Sequence, residues 1–339
     1  MEKRVLSILL IFILLLISVG CDNNINTSKS NEDYQKIRMM MTSSGTEIGI
    51  NTVVAKRIAE IVEKESGGSV IIEVYPNDQI SGGNTTKGLD MLADGSVDLA
   101  VFTSGTFSML DNRLSIATFP WTFANYEEAR KVIDDTGGLY YTKILSQKGL
   151  VYLGSVHNGF RQISNNRNPV RQPEDLAGMK IRILNNEMSK IFFQSFDAVP
   201  MLMSRSEMAV ALKQGYIDGH DMGLFQSASA NLNEIEKYVT LCNYSYENYI
   251  FVINSKIFNQ LKPKTQELLI RASKEACQWG NDWLEQKEQD IKLDFIKSSV
   301  AITELSPEEL NKFKEQSRPM IEQLKMQYDD EACRAFGIN

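Results

Sequence analysis

Gly159-Phe160-Arg161-Gln162, followed after a loop by Pro173-Glu174-Asp175-Leu176-Ala177-Gly178-Met179-Lys180-Ile181-Arg182-Ile183-Leu184, is the stretch that decides how this chain is read. Pro173 and Gly178 punctuate a turn. The residues after them alternate as a strand does, with Ile181 and Ile183 on one face and Lys180 and Arg182 on the other. Arg182 therefore leaves a strand whose opposite face is apolar. A guanidinium in that position is held rigidly and offers a planar fork of donors that matches a carboxylate. Arg161, about 20 residues earlier, could bring a second positive charge to the same point. Two readings stand at this level: the pair clamps the carboxylate of a small organic acid, or Arg182 pairs with an internal Asp or Glu as part of the scaffold.

The flanking sequence supplies an α/β frame for this stretch. Met39 to Thr42 reads as a first strand, and a helix from about Gly49 to Ser66 carries Ile50, Val53, Val54, Ile58, Ile61 and Val62 on one face. Val70 to Tyr75 is a β-branched strand, a helix follows through Leu89 and Leu92, and Val97 to Phe102 is a strand again. The alternation predicts a mainly parallel sheet, with the Thr103-Ser104-Gly105-Thr106 loop at a strand end where ligands commonly sit. Phe119-Pro120-Trp121-Thr122-Phe123 either walls a pocket or plugs a core. Helices are expected over Tyr126 to Thr136 and Leu139 to Lys148, then a strand over Leu150 to Leu153. The pattern restarts near Val156 to Phe160, opening a second α/β unit with a helix through Met188 and Phe196. A further helix starts at Ser204 with the Ser204/Glu207 spacing of a capping box, and strands are expected over Tyr216 to Met222 and Tyr249 to Asn254. From Pro263 to about Ser298 one long helix is predicted, bent at Gly280. Ser306-Pro307-Glu308-Glu309 is a strong helix start.

Size and charge narrow the function. The 339 residues suggest two domains, and 43% hydrophobic with 23% charged residues is ordinary for a globular protein. The formal charge is −7, and no basic run or basic-aromatic stripe argues for nucleic acid. An acidic protein that grips an anion needs a local positive pocket. The N-terminus has the layout of a signal peptide: Lys3 and Arg4, an apolar run from Val5 to Val19, then Gly20-Cys21. Ile17-Ser18-Val19-Gly20-Cys21 resembles a bacterial lipoprotein cleavage site, with Ser18 where Leu is usual, so Cys21 is the expected lipidation site. Without Glu2, Lys3 and Arg4, together +1, the mature chain is near −8. Asp22 to Asp33 reads as a flexible tether. Cys242, Cys277 and Cys333 fit no metal motif; one disulfide or three buried thiols both suit an exported chain. With His157 and His220 as the two histidines, there is no HExxH, and neither GxGxxG nor GxxxxGK[ST] occurs among the N-terminal glycines.

Taken together, these stretches resemble the DctP-type solute-binding proteins of TRAP (tripartite ATP-independent periplasmic) transporters. The resemblance rests on Ser66-Gly67-Gly68, Val74-Tyr75-Pro76-Asn77-Asp78-Gln79-Ile80, Gly95-Ser96-Val97-Asp98 and the Phe119–Phe123 run. It continues through Gly159-Phe160-Arg161, the Pro173–Arg182 stretch, Ser206-Glu207 and Ala211-Leu212-Lys213-Gln214-Gly215-Tyr216-Ile217-Asp218-Gly219. It implies a two-domain, periplasmic-binding-protein-like α/β fold with a ligand cleft between the domains, a long C-terminal domain-spanning helix, and no catalysis, cofactor or metal. Boundaries on this reading are 1–20 signal peptide, 21–35 tether, 36–158 with 248–287 for domain I, and 159–247 with 288–339 for domain II.

The resemblance also implies site roles. The arginine at Arg182 makes the bidentate contact to a ligand carboxylate and the one at Arg161 supports it. Two departures stand out: Arg205 replaces an apolar residue before the Ser-Glu pair, and His220-Asp221-Met222 replaces a run ending in Asn. Met222 cannot donate as that Asn does, so the far half of the ligand is met differently. Arg205 either faces the cleft, which favours a dicarboxylate or a sugar acid over a monocarboxylate, or lies solvated beside Glu207. First-domain loops, through Ser44, Glu47, Asn84 and Ser104, add contacts on closure. The expected partners are a small organic acid and the small and large permease subunits, with a lipid anchor to the membrane, a monomeric state and an extracytoplasmic location. The competing readings are a ligand sensor for a signalling receptor and an extracellular hydrolase using Glu47, Asp221 or His220, for which no Ser-His-Asp order or metal set emerges.

Overall fold

The computed structural model describes residues 33–183, 187–203 and 205–338, without the side chains of 205 and 206. The signal segment, Cys21, Ser204 and the side chain of Arg205 thus lie outside the described residues. The strands are β1 (Ile37–Ser43), β2 (Val70–Tyr75), β3 (Leu99–Thr103), β4 (Leu150–Asn165), β5 (Lys180–Ile183), β6 (Val199–Leu202), β7 (Gly219–Met222), β8 (Tyr238–Asn254) and β9 (Ala301–Glu304). They form one continuous sheet in the order β2-β1-β3-β8-β4-β7-β5-β6, with β9 on β8.

The expected parallel pairing holds toward the ends of the sheet, where β1 pairs β2 and β3, and β5 pairs β6 and β7. The middle differs. β4 and β8 are antiparallel to each other and to β7 and β3. The strand expected over Leu150 to Leu153 instead runs 16 residues without restarting at Val156 to Phe160. The strand expected over Tyr249 to Asn254 runs 17. Bulges between Tyr152/Gly154, His157/Gly159 and Arg161/Ile163 interrupt the β4–β8 register. Each adds local twist and breaks the two-residue alternation that marks a strand. The bulge at His157/Gly159 faces Glu247 and Asn248, the level at which the chain was expected to cross between domains.

Two apolar cores cover the two faces of this sheet, as period-2 alternation requires. Leu99, Val101, Phe251 and Ile253 point into one, with Val54, Ile58, Leu269, Leu284 and Phe295. Ala100, Phe102, Ile250 and Val252 point into the other, with Leu89, Tyr141, Phe192 and Phe313. Helix α1 (Ile50–Glu65) buries the apolar stripe read from sequence except Val53, which is half-buried. Further helices are α2 (Thr85–Asp94), α3 (Ser104–Phe107), α4 (Tyr126–Asp134), α5 (Thr136–Gln147), α6 (Glu187–Gln194), α7 (Arg205–Lys213), α8 (Leu224–Ser229), α9 (Ser255–Gln260), α10 (Pro263–Lys297), α11 (Pro307–Lys325) and α12 (Asp330–Phe336).

Helix α10 runs 35 residues without a break at Gly280. The glycine serves packing instead: a Cβ there would lie 2.4 Å from Val54 Cγ2 and 2.9 Å from Val156 Cγ2. The helix follows β4 closely. Cys277 lies against Gly154, Asn281 Oδ1 accepts from His157 N at 2.8 Å, and Glu288 lies against Gly159. Eleven helical residues advance about 16 Å and five strand residues about the same, so the two elements stay in step through the crossing. At the start of α11, Ser306 Oγ accepts from Glu309 N and Glu309 Oε2 from Ser306 N, the reciprocal cap expected there. Cys242, Cys277 and Cys333 are buried free thiols. Among the described residues no helix is long and apolar enough to cross a membrane.

Candidate functional site

Arg182 sits on β5 between Met201 of β6 and His220 of β7. Its neighbours Ile181 and Ile183 fill the core, as the alternation requires, and Arg182 itself is only 1% exposed. Its Nε donates to Met203 O at 3.0 Å, which fixes the plane of the guanidinium. Arg182 lines a cavity of about 110 Å³ together with Arg161 and Asn158 of β4, Met222 of β7, Glu247 and Tyr249 of β8, and Gln226 of α8. The walls thus come from both sides of the bulged level of the β4–β8 ladder.

Arg161 has a different job from Arg182. Its Nε donates to Asp221 Oδ1 at 2.8 Å, Nη2 to Asp221 O at 2.6 Å and Nη1 to Glu247 Oε2 at 3.2 Å. Burial works against its charge, but Asp221 and Glu247 more than offset this and hold the group charged beyond its ordinary range. Asp221 Oδ2 also accepts from Tyr244 Oη at 2.8 Å. Tyr244 stacks on Phe192 at 4.0 Å, and burial followed by the Asp221 charge keeps its phenol protonated well above the usual range. Arg161 is therefore internally paired, and Asp221 lies behind it, fully buried.

The other expected site residues scatter. Met222 lines the cavity. Glu47 pairs with Lys56 at the surface, and Asn84 Oδ1 caps α2 by accepting from Lys87 N at 3.0 Å. Ser104 is buried at the start of α3, next to Thr103, which does line the cavity. None of Ser44, Glu47, Asn84 or Ser104 lines it. Residues that the sequence did not single out as a site do: Asn158, Gln226, Glu247 and Tyr249. Glu247 and Asn158 were marked only as crossing points, and their position beside Gly159 was the available signal. Gly159 has φ +110°, and a Cβ there would meet Glu288 Oε1 and Tyr126 Oη, each at 3.0 Å, so a residue with a side chain would be strained as well as crowded.

The groups considered for hydrolysis do not converge. His220 Nε2 bonds Glu236, both side chains being fully buried, while Asp221 is taken up by Arg161 and Tyr244. The aromatic run does both things expected of it: Phe119 and Phe123 are core, while Trp121, Thr122 and Phe123 wall a separate cavity of about 490 Å³. Trp121 packs edge-on to Phe192 and Tyr244.

A two-lobed α/β frame spanned by a long helix, with buried arginines converging on a pocket where its central strands cross, defines an extracytoplasmic binding protein for a solute. The chain belongs to the bacterial extracellular solute-binding protein family 7, the DctP family of TRAP transporters, whose model matches residues 42–327. It is 26% identical to the C4-dicarboxylate-binding protein DctB of Bacillus subtilis over 83% of this chain and 80% of that one. It is 27% identical to the 2,3-diketo-L-gulonate-binding periplasmic protein YiaO of Escherichia coli over 70% and 72%. A TRAP periplasmic solute-binding protein from Ochrobactrum anthropi superposes with a TM-score of 0.84 at 25% identity, over 89% of this chain and 94% of that one. Its family members bind solutes for transport, and the chain is not an enzyme.

Proposed function

We propose that the chain captures a small organic acid anion, of the dicarboxylate or sugar-acid kind, by an Arg182–carboxylate clamp and cleft closure, and delivers it to an ion-coupled membrane permease. The observation that carries this reading is Arg182 on the wall of the 110 Å³ cavity, buried and oriented by Met203 O, while the adjacent Arg161 is engaged by Asp221 and Glu247. Arg161 then supports the clamp through its field, not by direct contact. The names of the B. subtilis and E. coli relatives, binders of a C4-dicarboxylate and of a diketo sugar acid, support an acid as the cargo. Exclusion of water on closure lowers the effective dielectric and strengthens the ion pair, and ligand drives closure only through contacts it gains there.

The proposal includes export of a monomer, lipidation at Cys21, and the domain boundaries at about 158 and 247. The bulged level of the β4–β8 ladder supports those boundaries. The decisive experiment is mass spectrometry of the small molecule released from purified protein, followed by calorimetry with that molecule on Arg182→Lys. Lysine keeps the charge and loses the fork; a weakening of about 30-fold or more, some 2 kcal/mol, is expected. Affinity unchanged within threefold, in a variant that melts as the wild type does, overturns the clamp.

A further inference from the structure

Glu288 of α10 stands between two cavities. On one side it lines the cavity of about 490 Å³ that Trp121 and Phe123 wall. On the other it meets Gly159, which lines the 110 Å³ cavity beside Arg182. The partition is one backbone thick, since a Cβ on Gly159 would lie 3.0 Å from Glu288 Oε1. The glutamate is 8% exposed. Tyr126 Oη donates to its Oε2 at 2.7 Å, and its buried Oε1 has no hydrogen-bond partner among the described residues. A buried carboxyl served by one neutral donor favours its protonated form. Burial pushes Glu288 up to about 7, against the pull of the Tyr126 hydroxyl and the nearby Phe225 backbone, and Glu285 adds to the rise.

The groups around it leave that proton as the one exchanged near neutrality. Among the described residues no cation pairs with Glu288. On α10, Lys292 bonds Glu304 of β9, and Glu285 is itself acidic. From α4, Arg130 pairs with Asp282 and Glu285. From β4, Arg161 pairs with Asp221 and Glu247, and burial lowers His157 despite the Glu285 carboxylate, so that ring is neutral above pH 7. Burial keeps the phenols of Tyr126 and Tyr246 protonated well above their usual range, and pushes the Cys242 thiol up to about 12. Helix α8 faces Glu288 through the Phe225 backbone. Glu128 and Lys314, which also line the larger cavity, are exposed.

We propose that Glu288 couples cargo binding to a proton: an anion is held in the smaller cavity most tightly while Glu288 is protonated, and its arrival draws a proton onto Glu288 from the larger cavity. This rests on the anionic cargo argued above and adds a regulation to it. Any charge held in so small a cavity lies within about 10 Å of Glu288, where at an effective dielectric near 20 an ionised carboxylate lowers an anion's affinity about tenfold. By linkage the bound anion makes Glu288 hold its proton about tenfold more tightly. Affinity is therefore level below about pH 6, falls through the window from about 7 to 8, and is level again above about 9. A carboxylate cargo is ionised throughout that range. The larger cavity has room for the water that carries the proton.

The test is calorimetry from pH 6 to pH 9 with succinate, D-glucuronate and the acid released by the purified chain, using whichever binds most tightly at pH 6. Kd should weaken about tenfold across the range. At pH 7.5 the binding enthalpies in HEPES and in Tris should differ by the heat of taking up about half a proton. Glu288→Gln should bind at pH 9 as the wild type does at pH 6, with no proton taken up. Should that variant fold poorly, Tyr126→Phe, which withdraws a donor from the ionised form, should move the fall in affinity to higher pH. Affinity constant within twofold across the range, a fall that persists in Glu288→Gln, or one that stays in place in Tyr126→Phe overturns the coupling. The clamp stands in that case if Arg182→Lys still weakens binding. A chain that binds none of the three acids, or that releases an uncharged molecule, overturns both.

Discussion

Replacing Arg161 by Met should unfold the site before it weakens any ligand. The guanidinium serves Asp221 and Glu247 with three nitrogens, and those carboxylates are 0% and 9% exposed. In Arg161→Met, Tyr244 and Asn158 remain as their neutral donors, and among the described residues no positively charged group bonds either. Breaking a buried ion pair by removing one partner costs about 3–5 kcal/mol. One cation shared by two acids places the loss in the upper half of that span. At roughly 2 °C per kcal/mol for a chain of this size, Tm should fall by about 8–10 °C. Scanning calorimetry at pH 7 measures it, with urea titration as a second probe. Arg161→Met/Asp221→Asn should recover about half of it, since an amide keeps the Tyr244 bond without the charge. A single-variant loss below about 1 kcal/mol, or a double variant no more stable than the single one, would refute the internally paired role of Arg161.

Two further outcomes follow from α10. Burial raises Glu288 from 4.5 to about 7, with Tyr126 Oη donating to its Oε2 at 2.7 Å and Glu285 close by. Between those values the unfolded chain has released a proton that the folded chain keeps, so stability falls as pH rises through the window, by up to about 3 kcal/mol. Glu288→Gln should match the wild type near pH 5 and exceed it in Tm at pH 8; a difference independent of pH counts against this. Gly280→Ala should destabilise by about 1–2 kcal/mol, because overpacking against Val54 and Val156 exceeds the gain in helix propensity. Val54→Ala in the same chain should return part of it, and a more stable Gly280→Ala would show that the neighbours yield.

Where local pattern and global fold agree, the residues announced their structure. The stripe on α1, the reciprocal cap of Ser306 and Glu309, and the alternation that buries Ile181 and Ile183 with Arg182 opposite all follow from short-range rules. β4 and β8 were half-read because each is bulged where it crosses, and a bulge resets the alternation that marks a strand. The site divided along the same line. The inward, buried place of Arg182 on its strand was legible from the register. The engagement of Arg161 by Asp221 and Glu247 was not, since the three positions are 60 and 86 residues apart and meet only through the ladder. Glu47 and Asn84 were drawn from loops, where register says nothing about which way a side chain points, and their bonds turn out to be local ones with Lys56 and Lys87.

The shared strands bear on how such proteins can be rebuilt. β4 and β8 each contribute hydrogen bonds to both ends of one sheet, so neither lobe is a segment that can be excised with its edges satisfied. Exchanging one lobe between relatives would cut two ladders in mid-strand and strip the long helix of half its track. A chimera that keeps its fold must therefore transplant side chains around the pocket while leaving the crossing strands whole, which makes cargo choice separable from architecture only at the level of individual residues.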